Sequence, residues 1–226
     1  GSYDKKTGIA RYSAAVEKPS YTYATGSNAV ALTVEFTLDM SKLPKSPFTD
    51  VTAGAWYYDA TLYAYSKGLM VGTSDTAFSP NMPMTRAMLV AVLHRLAGSP
   101  SVSGKMPFTD VEADTWYTEA VLWAYQNDIV AGTSDTTFEP LSNITREQIV
   151  AIFSRYTAKF APDKAKATAE LTAFADSASV SDWAVNDMKW AVAQKIIGGR
   201  ENGGRLYLAP QGNASRAEVA TILMQY

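Results

Sequence analysis

A threefold internal repeat limits what this chain can fold into more than any other feature of its sequence. The run Pro47–Val51, PFTDV, recurs 60 residues later as Pro107–Val111, and a weaker third copy is Phe174–Asp176. Each copy then contains, in order, a tryptophan, an aromatic residue followed by alanine, a glycine loop, a proline, and a threonine or serine followed by arginine. Since repeated units of this kind cannot bury their apolar face alone, the three copies are expected to pack on one another.

Each copy is predicted to be helix, loop, helix, and the second helix has the clearer pattern. Its apolar residues recur at i, i+3, i+4 and i+7, which places them on one face. Thr85, Thr145 and Ser215 precede these helices as N-caps, and Gln148 and Glu218 complete capping boxes. The apolar positions are Leu89, Val92, Leu93 and Leu96, then Ile149, Ile152, Phe153 and Tyr156, then Val219, Ile222, Leu223 and Tyr226.

Three equal apolar faces predict a mainly α fold with pseudo-threefold symmetry. The second helices are expected to form a central three-helix bundle, and the first helices and loops are expected to lie outside it. The repeats are predicted over residues 46–98, 106–160 and 172–226.

The first 45 residues have a different pattern. Apolar and polar residues alternate over Val30–Leu38, which predicts a half-buried strand, and shorter strand-like runs occur at Tyr21–Tyr23 and Ile9–Val16. Residues 1–45 are therefore expected to be a β segment, the end of an upstream domain. The Gly1–Ser2 start is typical of a cleaved expression tag, which indicates a piece of a longer protein.

Composition excludes several classes of function. The chain has 20 Lys and Arg against 22 Asp and Glu, and this net charge of -2 argues against a nucleic-acid binder, which needs a basic face. It has no cysteine and one histidine, His94, which excludes disulfides, thiolate zinc sites and multi-histidine metal sites. No apolar run approaches the roughly 20 residues of a membrane helix. We expect no cofactor, no metal and no membrane insertion, and we expect His94 to lie on a helix surface.

The Phe-x-Asp-Val opening, the tryptophan, the glycine loop and the Thr-Arg helix start together resemble S-layer homology (SLH) modules. The resemblance covers roughly residues 47–226, and the Thr-Arg-Ala-Glu signature of that family stands here as Thr85–Met88, Thr145–Gln148 and Ser215–Glu218. It implies a three-pronged helical prism that anchors surface proteins to the bacterial cell wall. It also implies a ligand, a secondary cell wall polysaccharide often carrying pyruvylated N-acetylmannosamine, bound in grooves between adjacent repeats. Peptidoglycan is the alternative wall partner.

The arginines of the signature support an anionic ligand on separate grounds. Arg86, Arg146 and Arg216 each stand in the first turn of a helix, where a cation opposes the helix dipole at about 0.3–1 kcal/mol. Free N–H groups, the positive end of the dipole and a guanidinium together form an anion site, which suits a pyruvyl ketal carboxylate. The alternative is an ion pair between each arginine and the aspartate of its own or a neighbouring repeat.

Three further sets of equivalent residues are candidates for glycan contact. Tryptophan rings stack on sugar rings, the aspartates hold the arginines or accept sugar hydroxyls, and the glycines let the backbone approach the ligand. The alternatives are a core role for the tryptophans, an N-cap or turn role for the aspartates, and turns for the glycines. The sets are Trp56, Trp116 and Trp183; Asp50, Asp110 and Asp176; and Gly72, Gly132 and Gly199.

The third repeat departs from the other two. It has 17 residues from Gly199 to Arg216, where the first repeat has 14 from Gly72 to Arg86, and the insertion brings Arg200 and Arg205. The groove formed with this repeat is therefore expected either to be degenerate or to use one of these arginines for the anion.

These observations favour a non-catalytic module at the bacterial cell surface, which anchors a protein to the cell wall. Equivalent residues placed three times suit binding better than a single reaction centre, and several weak sites on one body give avidity on a repeating polymer. The alternatives are a lattice or self-association element of a surface layer, and an accessory domain of a surface glycan-degrading enzyme.

Overall fold

The computed structural model describes residues 2–4, 9–11 and 46–226, which fall into two units, 1–43 and 44–226. In the first unit, β1 (Ser2–Asp4) pairs antiparallel with β2 (Ile9–Arg11), and Ser2 lies opposite Arg11. Ile9–Arg11 thus confirms the start of one predicted strand. The strand-like runs at Val30–Leu38 and Tyr21–Tyr23 lie outside the described residues.

The second unit is mainly helical, which confirms the predicted class. Each repeat contributes a first helix and a second helix, and the third repeat adds a short antiparallel hairpin. The helices are α1 (Tyr58–Ser66), α2 (Arg86–Leu96), α3 (Thr118–Gln126), α4 (Arg146–Phe160), α5 (Val185–Ala193) and α6 (Arg216–Gln225). The hairpin strands are β3 (Arg200–Asn202) and β4 (Arg205–Tyr207). Short 3-10 turns lie at Pro162–Lys166, Ser177–Ser179 and Asp182–Ala184.

The predicted caps begin all three second helices. Thr85 accepts a hydrogen bond from the Met88 backbone N–H at 3.2 Å. Reciprocal capping boxes form at Thr145 with Gln148 and at Ser215 with Glu218. Each cap satisfies an N–H group that the helix itself leaves without a partner, so the helix start is fixed locally by the sequence.

The apolar face of each second helix is buried as the spacing predicts. Leu89, Leu93, Phe153 and Val219 are fully buried, whereas Leu96 and Tyr226 at the helix ends are partly exposed. The core therefore loosens toward the C-termini of α2 and α6, whereas Tyr156 and Thr157 in the second half of α4 stay buried.

The first helix of each repeat packs against the second helix of the preceding repeat. The pairs are α3 with α2, α5 with α4 and, from the first repeat back to the last, α1 with α6. The packing of α3 on α2 buries His94, so the expectation of a surface histidine is wrong. Its side chain is 7% exposed, its Nε2 lies 2.9 Å from the Pro100 carbonyl, and its ring lies 5.2 Å from that of Trp123 on α3.

Backbone hydrogen bonds join the three repeats in a closed ring. The N–H of Arg86 donates to the Ser142 carbonyl at 3.0 Å, and the N–H of Arg146 donates to the Gly212 carbonyl at 2.9 Å. The ring closes where the N–H of Arg216 donates to the Met82 carbonyl of the first repeat at 3.0 Å. Each second helix thus begins against the loop of the next repeat, in the cyclic order one, two, three, one.

The insertion in the third repeat forms the β3–β4 hairpin. Gly203 and Gly204 connect its strands with φ values of 59° and 76°, a pair of conformations that favours glycine and suits a tight two-residue turn. The hairpin therefore extends the third repeat ahead of α6, and its residue Arg200 contacts Glu218 on that helix.

Candidate functional site

The aspartate of each repeat holds the glycine loop of its own repeat. The two carboxylate oxygens of Asp50 accept hydrogen bonds from the Phe78 N–H at 2.8 Å and the Ser79 N–H at 2.7 Å. Asp110 and Asp176 do the same in the second and third repeats, at 2.8 and 2.7 Å and at 2.7 and 2.7 Å. These contacts favour the turn role among the alternatives for the aspartates.

Each signature arginine reaches the loop that the next aspartate holds. Nε of Arg86 donates to the Phe138 carbonyl at 2.7 Å, that of Arg146 to the Leu208 carbonyl at 2.7 Å, and that of Arg216 to the Phe78 carbonyl at 2.8 Å. Each arginine is only 6% exposed. Burial lowers the pKa of all three guanidinium groups. We name the three places junction 1–2 (Arg86), junction 2–3 (Arg146) and junction 3–1 (Arg216).

The expected arginine–aspartate ion pair does not form within residues 46–226. The reason is geometric: both oxygens of each aspartate face the backbone amides of its own loop, while the arginine binds the carbonyl on that loop. The aspartate acts on the arginine through its charge alone, because the charges of Asp110 and Asp50 raise the pKa of Arg86 and Arg216 against the larger effect of burial.

At junction 1–2, the Arg86 guanidinium lies over the Phe138 ring, 4.7 Å from its centre. Two carboxylates act on it, since the charges of Glu139 and Asp110 both raise its pKa against the larger effect of burial. The terminal nitrogens of this guanidinium form no hydrogen bond with residues 46–226.

At junction 2–3, an ion pair occupies the guanidinium of Arg146. Its Nη1 lies 2.8 Å from Oε1 of Glu218, and Arg200 of the hairpin donates to the same carboxylate from Nε at 2.9 Å and Nη2 at 2.8 Å. Burial alone raises the pKa of Glu218. The hydrogen bonds from Arg200 and the Ser215 N–H, together with the charges of Arg146 and Arg200, outweigh this effect, so the pKa is lowered from 4.5. This junction therefore already contains an anion supplied by the protein.

At junction 3–1, the Arg216 guanidinium lies over the Phe78 ring, 4.5 Å from its centre, and Nη2 donates to the Val71 carbonyl at 2.5 Å. A second arginine, Arg95, donates from Nη1 to the Leu69 carbonyl at 3.1 Å. Arg95 was not among the sequence candidates. An alignment of the three repeats past the signature identifies this position as variable, because it holds Arg95, Arg155 and Gln225.

The three candidate tryptophans are exposed, so the core alternative is wrong for them. Trp56, Trp116 and Trp183 are 56%, 58% and 55% exposed. The first two rings meet the neighbouring rings of Tyr57 and Tyr117 edge to face, with centroids 5.2 and 5.1 Å apart. Equivalent positions in all three repeats thus present an aromatic face to solvent.

The candidate glycines are required by close packing inside each repeat. A Cβ added at Gly132 would lie 2.6 Å from Cε1 of Phe108, and one at Gly199 would lie 2.8 Å from Cε1 of Phe174. Both residues also have positive φ, 83° and 79°. Gly72 is crowded in the same way by Phe48. These contacts support the turn alternative, and an approach of ligand to this backbone stays a prediction.

An open cleft of about 390 Å³ lies on the second repeat, beside the end of α3. Its lining includes one cation and one carboxylate, and it consists of Tyr125, Gln126, Asp128, Val130, Ala131 and Arg155. In the part of the chain that the structure describes, no helix is long and apolar enough to cross a membrane, and no group of potential metal ligands occurs.

Three relatives resemble the chain over most of its length. The amylopullulanase of Thermoanaerobacterium thermosulfurigenes is 33% identical over 74% of this chain and 9% of the relative. The endoglucanase of Bacillus sp. strain KSM-635 is 30% identical over 81% of this chain and 19% of the relative. The surface-layer 125 kDa protein of Lysinibacillus sphaericus is 30% identical over 69% of this chain and 13% of the relative. The chain therefore spans less than a fifth of the length of each.

The repeat architecture and these relatives define a module of bacterial surface proteins, and its location is the cell surface and cell wall. Residues 47–87, 107–150 and 173–220 each match the S-layer homology domain, which confirms the three tandem modules. The chain belongs to the S-layer homology domain family. The matched part is a non-catalytic anchoring module.

Proposed function

We propose that this chain holds its parent protein on the cell wall by binding a secondary cell wall polysaccharide that carries pyruvylated N-acetylmannosamine. The observation that carries the proposal is the exposure of Trp56, Trp116 and Trp183 at equivalent positions in three repeats. The recurrence of an exposed aromatic residue at the same position of each repeat supports a binding role, and the flat faces of these rings suit the C–H faces of sugar rings.

The buried arginines at the junctions supply the second element of recognition. Guanidinium groups with one nitrogen fixed on a backbone carbonyl are preorganised, and their remaining donors suit a carboxylate. We place the glycan in grooves between adjacent repeats, with its carboxylates toward the arginines and its rings toward the tryptophans. The module itself carries out no reaction in this proposal.

The proposal includes a specific architecture. We infer that α2, α4 and α6 form the central bundle of a three-sided prism, with α1, α3 and α5 outside it. The cyclic hydrogen bonds at the helix starts and the packing of each first helix on the preceding repeat support this arrangement. More than one outer groove on the same module then gives avidity on a repeating polymer.

Sedimentation with purified cell walls tests the proposal. The chain is expected to pellet with walls that retain the secondary polymer and to stay in solution with walls stripped of it. Equal retention by stripped walls would indicate peptidoglycan as the partner and contradict the proposal.

Variants of the exposed residues sharpen this experiment. Trp116→Ala is expected to weaken wall binding about tenfold or more, since one aromatic stacking contact is lost. Leu141→Ala is the matched control, because Leu141 is also a large exposed apolar residue of the second repeat, 68% exposed. Equal binding by both variants would contradict a role for the tryptophan. The circular dichroism spectrum of each variant verifies its fold.

A further inference from the structure

Two arginines from different repeats converge on the turn that follows α1. Arg216 approaches from the start of α6 and donates to the Val71 carbonyl, and Arg95 approaches from the end of α2 and donates to the Leu69 carbonyl. Since these carbonyls are two residues apart, the two guanidinium groups share one small region of junction 3–1.

This pair of cations has no carboxylate partner in the described part of the chain. Neither Arg95 nor Arg216 forms an ion pair with residues 46–226. Asp50 stands nearby, but both its oxygens accept hydrogen bonds from backbone amides. Burial lowers the pKa of both guanidinium groups. The charge of Asp50 raises the pKa of Arg216, and the charge of Arg95 lowers it. Two partly desolvated like charges are unfavourable together unless an anion accompanies them.

The other two junctions do not have this excess of positive charge. At junction 1–2, Arg86 faces Glu139 in addition to Asp110, which is the equivalent of Asp50. The position of Glu139 is Ser79 in the first repeat, so Glu139 is the additional carboxylate. At junction 2–3, Arg146 is neutralised by Glu218, which the hairpin residue Arg200 also binds.

The residue equivalent to Arg95 has a different identity or exposure at each of the other two junctions. Its counterpart at junction 2–3 is Gln225, an uncharged residue. Its counterpart at junction 1–2 is Arg155, which is exposed and lines the open cleft on the second repeat. Ser79 in place of Glu139 distinguishes junction 3–1 from junction 1–2, and Arg95 in place of Gln225 distinguishes it from junction 2–3. Junction 3–1 is therefore the most cationic of the three.

We propose that the three grooves are unequal and that junction 3–1 is the principal anion subsite, where Arg95 and Arg216 together bind one carboxylate of the glycan. Glu218 takes the place of the ligand carboxylate at junction 2–3, so that groove is closed to an anionic sugar. This inference rests on the proposed function, and it adds Arg95 as a binding residue outside the family signature.

Calorimetric titration of the full chain with a pyruvylated N-acetylmannosamine glycoside tests the assignment. Arg95→Gln, which copies the third repeat, is expected to weaken binding about tenfold to a hundredfold through the loss of a charged hydrogen-bond donor. Arg95→Lys is expected to retain most of the affinity because it keeps the charge. Arg155→Gln is the matched control from the second repeat and is expected to change the affinity less than about twofold.

A reciprocal pair of variants at the equivalent loop position tests the charge argument without removing an arginine. Ser79→Glu brings to junction 3–1 the carboxylate of the second repeat and is expected to weaken binding at least about tenfold. The two backbones already share a φ of 56° at Ser79 and Glu139, so the substitution adds no backbone strain. Glu139→Ser is expected to leave the affinity of the strongest saccharide site, at junction 3–1, unchanged.

The outcomes separate the two proposals. Wall retention with unchanged saccharide affinity in Arg95→Gln and Ser79→Glu would overturn the assignment of junction 3–1 and leave the proposed function intact. A larger loss in Arg155→Gln than in Arg95→Gln would move the subsite to junction 1–2. Equal affinity for the glycoside without pyruvate would overturn carboxylate recognition. A chain that binds neither walls nor saccharide would overturn the proposed function itself.

Discussion

At the scale of the residue, equivalent positions have unequal environments. Arg86, Arg146 and Arg216 follow the same cap and bind the same loop carbonyl of the next repeat. Their remaining donors meet different partners: Glu218 at one junction and the Val71 carbonyl at another. The repeat therefore sets the position of each guanidinium, and residues that differ among the repeats set its charge balance.

A buried hydroxyl gives a prediction about stability. Thr61 on α1 is fully buried, and its Oγ1 has no hydrogen-bond partner in the described chain. Val121, also fully buried, holds the equivalent position in the second repeat. Thr61→Val is expected to raise the free energy of unfolding by about 1 kcal/mol, because an unsatisfied buried hydroxyl costs roughly 1–3 kcal/mol.

Urea unfolding followed by tryptophan fluorescence measures this change. Val121→Thr is the reciprocal control and is expected to lower the free energy of unfolding by a similar amount. A loss of stability in Thr61→Val would show that the hydroxyl has a partner, such as a bound water molecule.

At the scale of the element, the carboxylate of Glu218 connects α4, α6 and the β3–β4 hairpin. It completes the capping box of α6 and binds both Arg146 and Arg200. Because its pKa in the folded chain lies below 4.5, its contribution to stability is complete above that pH and declines as the pH falls through the folded-state pKa.

The variant Glu218→Gln is expected to lower the free energy of unfolding by about 1–3 kcal/mol at pH 7, since two arginines lose their anionic partner. The same variant is expected to lose less further stability than the wild type between pH 5 and pH 3. Urea titrations across this pH range measure both effects. Glu201→Gln, an exposed residue of the same hairpin, is the control, and an equal effect of both substitutions would contradict the role of Glu218.

Local elements were predictable from the sequence because their determinants are local. Caps at Thr145 and Ser215 and the apolar spacing of α2, α4 and α6 depend on neighbours within one or two turns. The burial of His94 was not predictable, because it follows from α3 of the next repeat packing on α2. The hydrogen-bond partners of Asp110 were likewise not predictable from the sequence, since the amides that it binds lie 28 and 29 residues away.

At the scale of the whole molecule, the ring of repeats predicts cooperative unfolding. An open array of repeats unfolds from its ends, since each unit contacts only its neighbours. Here the start of α6 is bonded to the loop of the first repeat, so neither end of the array is free. All five tryptophans lie within residues 46–226, and their fluorescence therefore reports on the ring.

One thermal transition is expected, with the same midpoint by tryptophan fluorescence and by far-ultraviolet circular dichroism. Arg216→Met removes the side-chain hydrogen bonds to Phe78 and Val71. It is expected to lower the midpoint of this transition by several degrees without dividing it, because loss of the closure weakens all three repeats together. Separate transitions for the repeats in the wild-type chain would contradict a cooperative ring.

The closure between the last and first repeats also determines how the module responds to tension. Tension applied to the chain ahead of residue 46 acts first on the first repeat. That repeat is hydrogen-bonded to α6 as well as to the second repeat. The first repeat cannot peel away while the bonds from Arg216 to Met82 and Phe78 hold. Shear forces at an envelope surface are thereby distributed over the entire ring before any single repeat detaches.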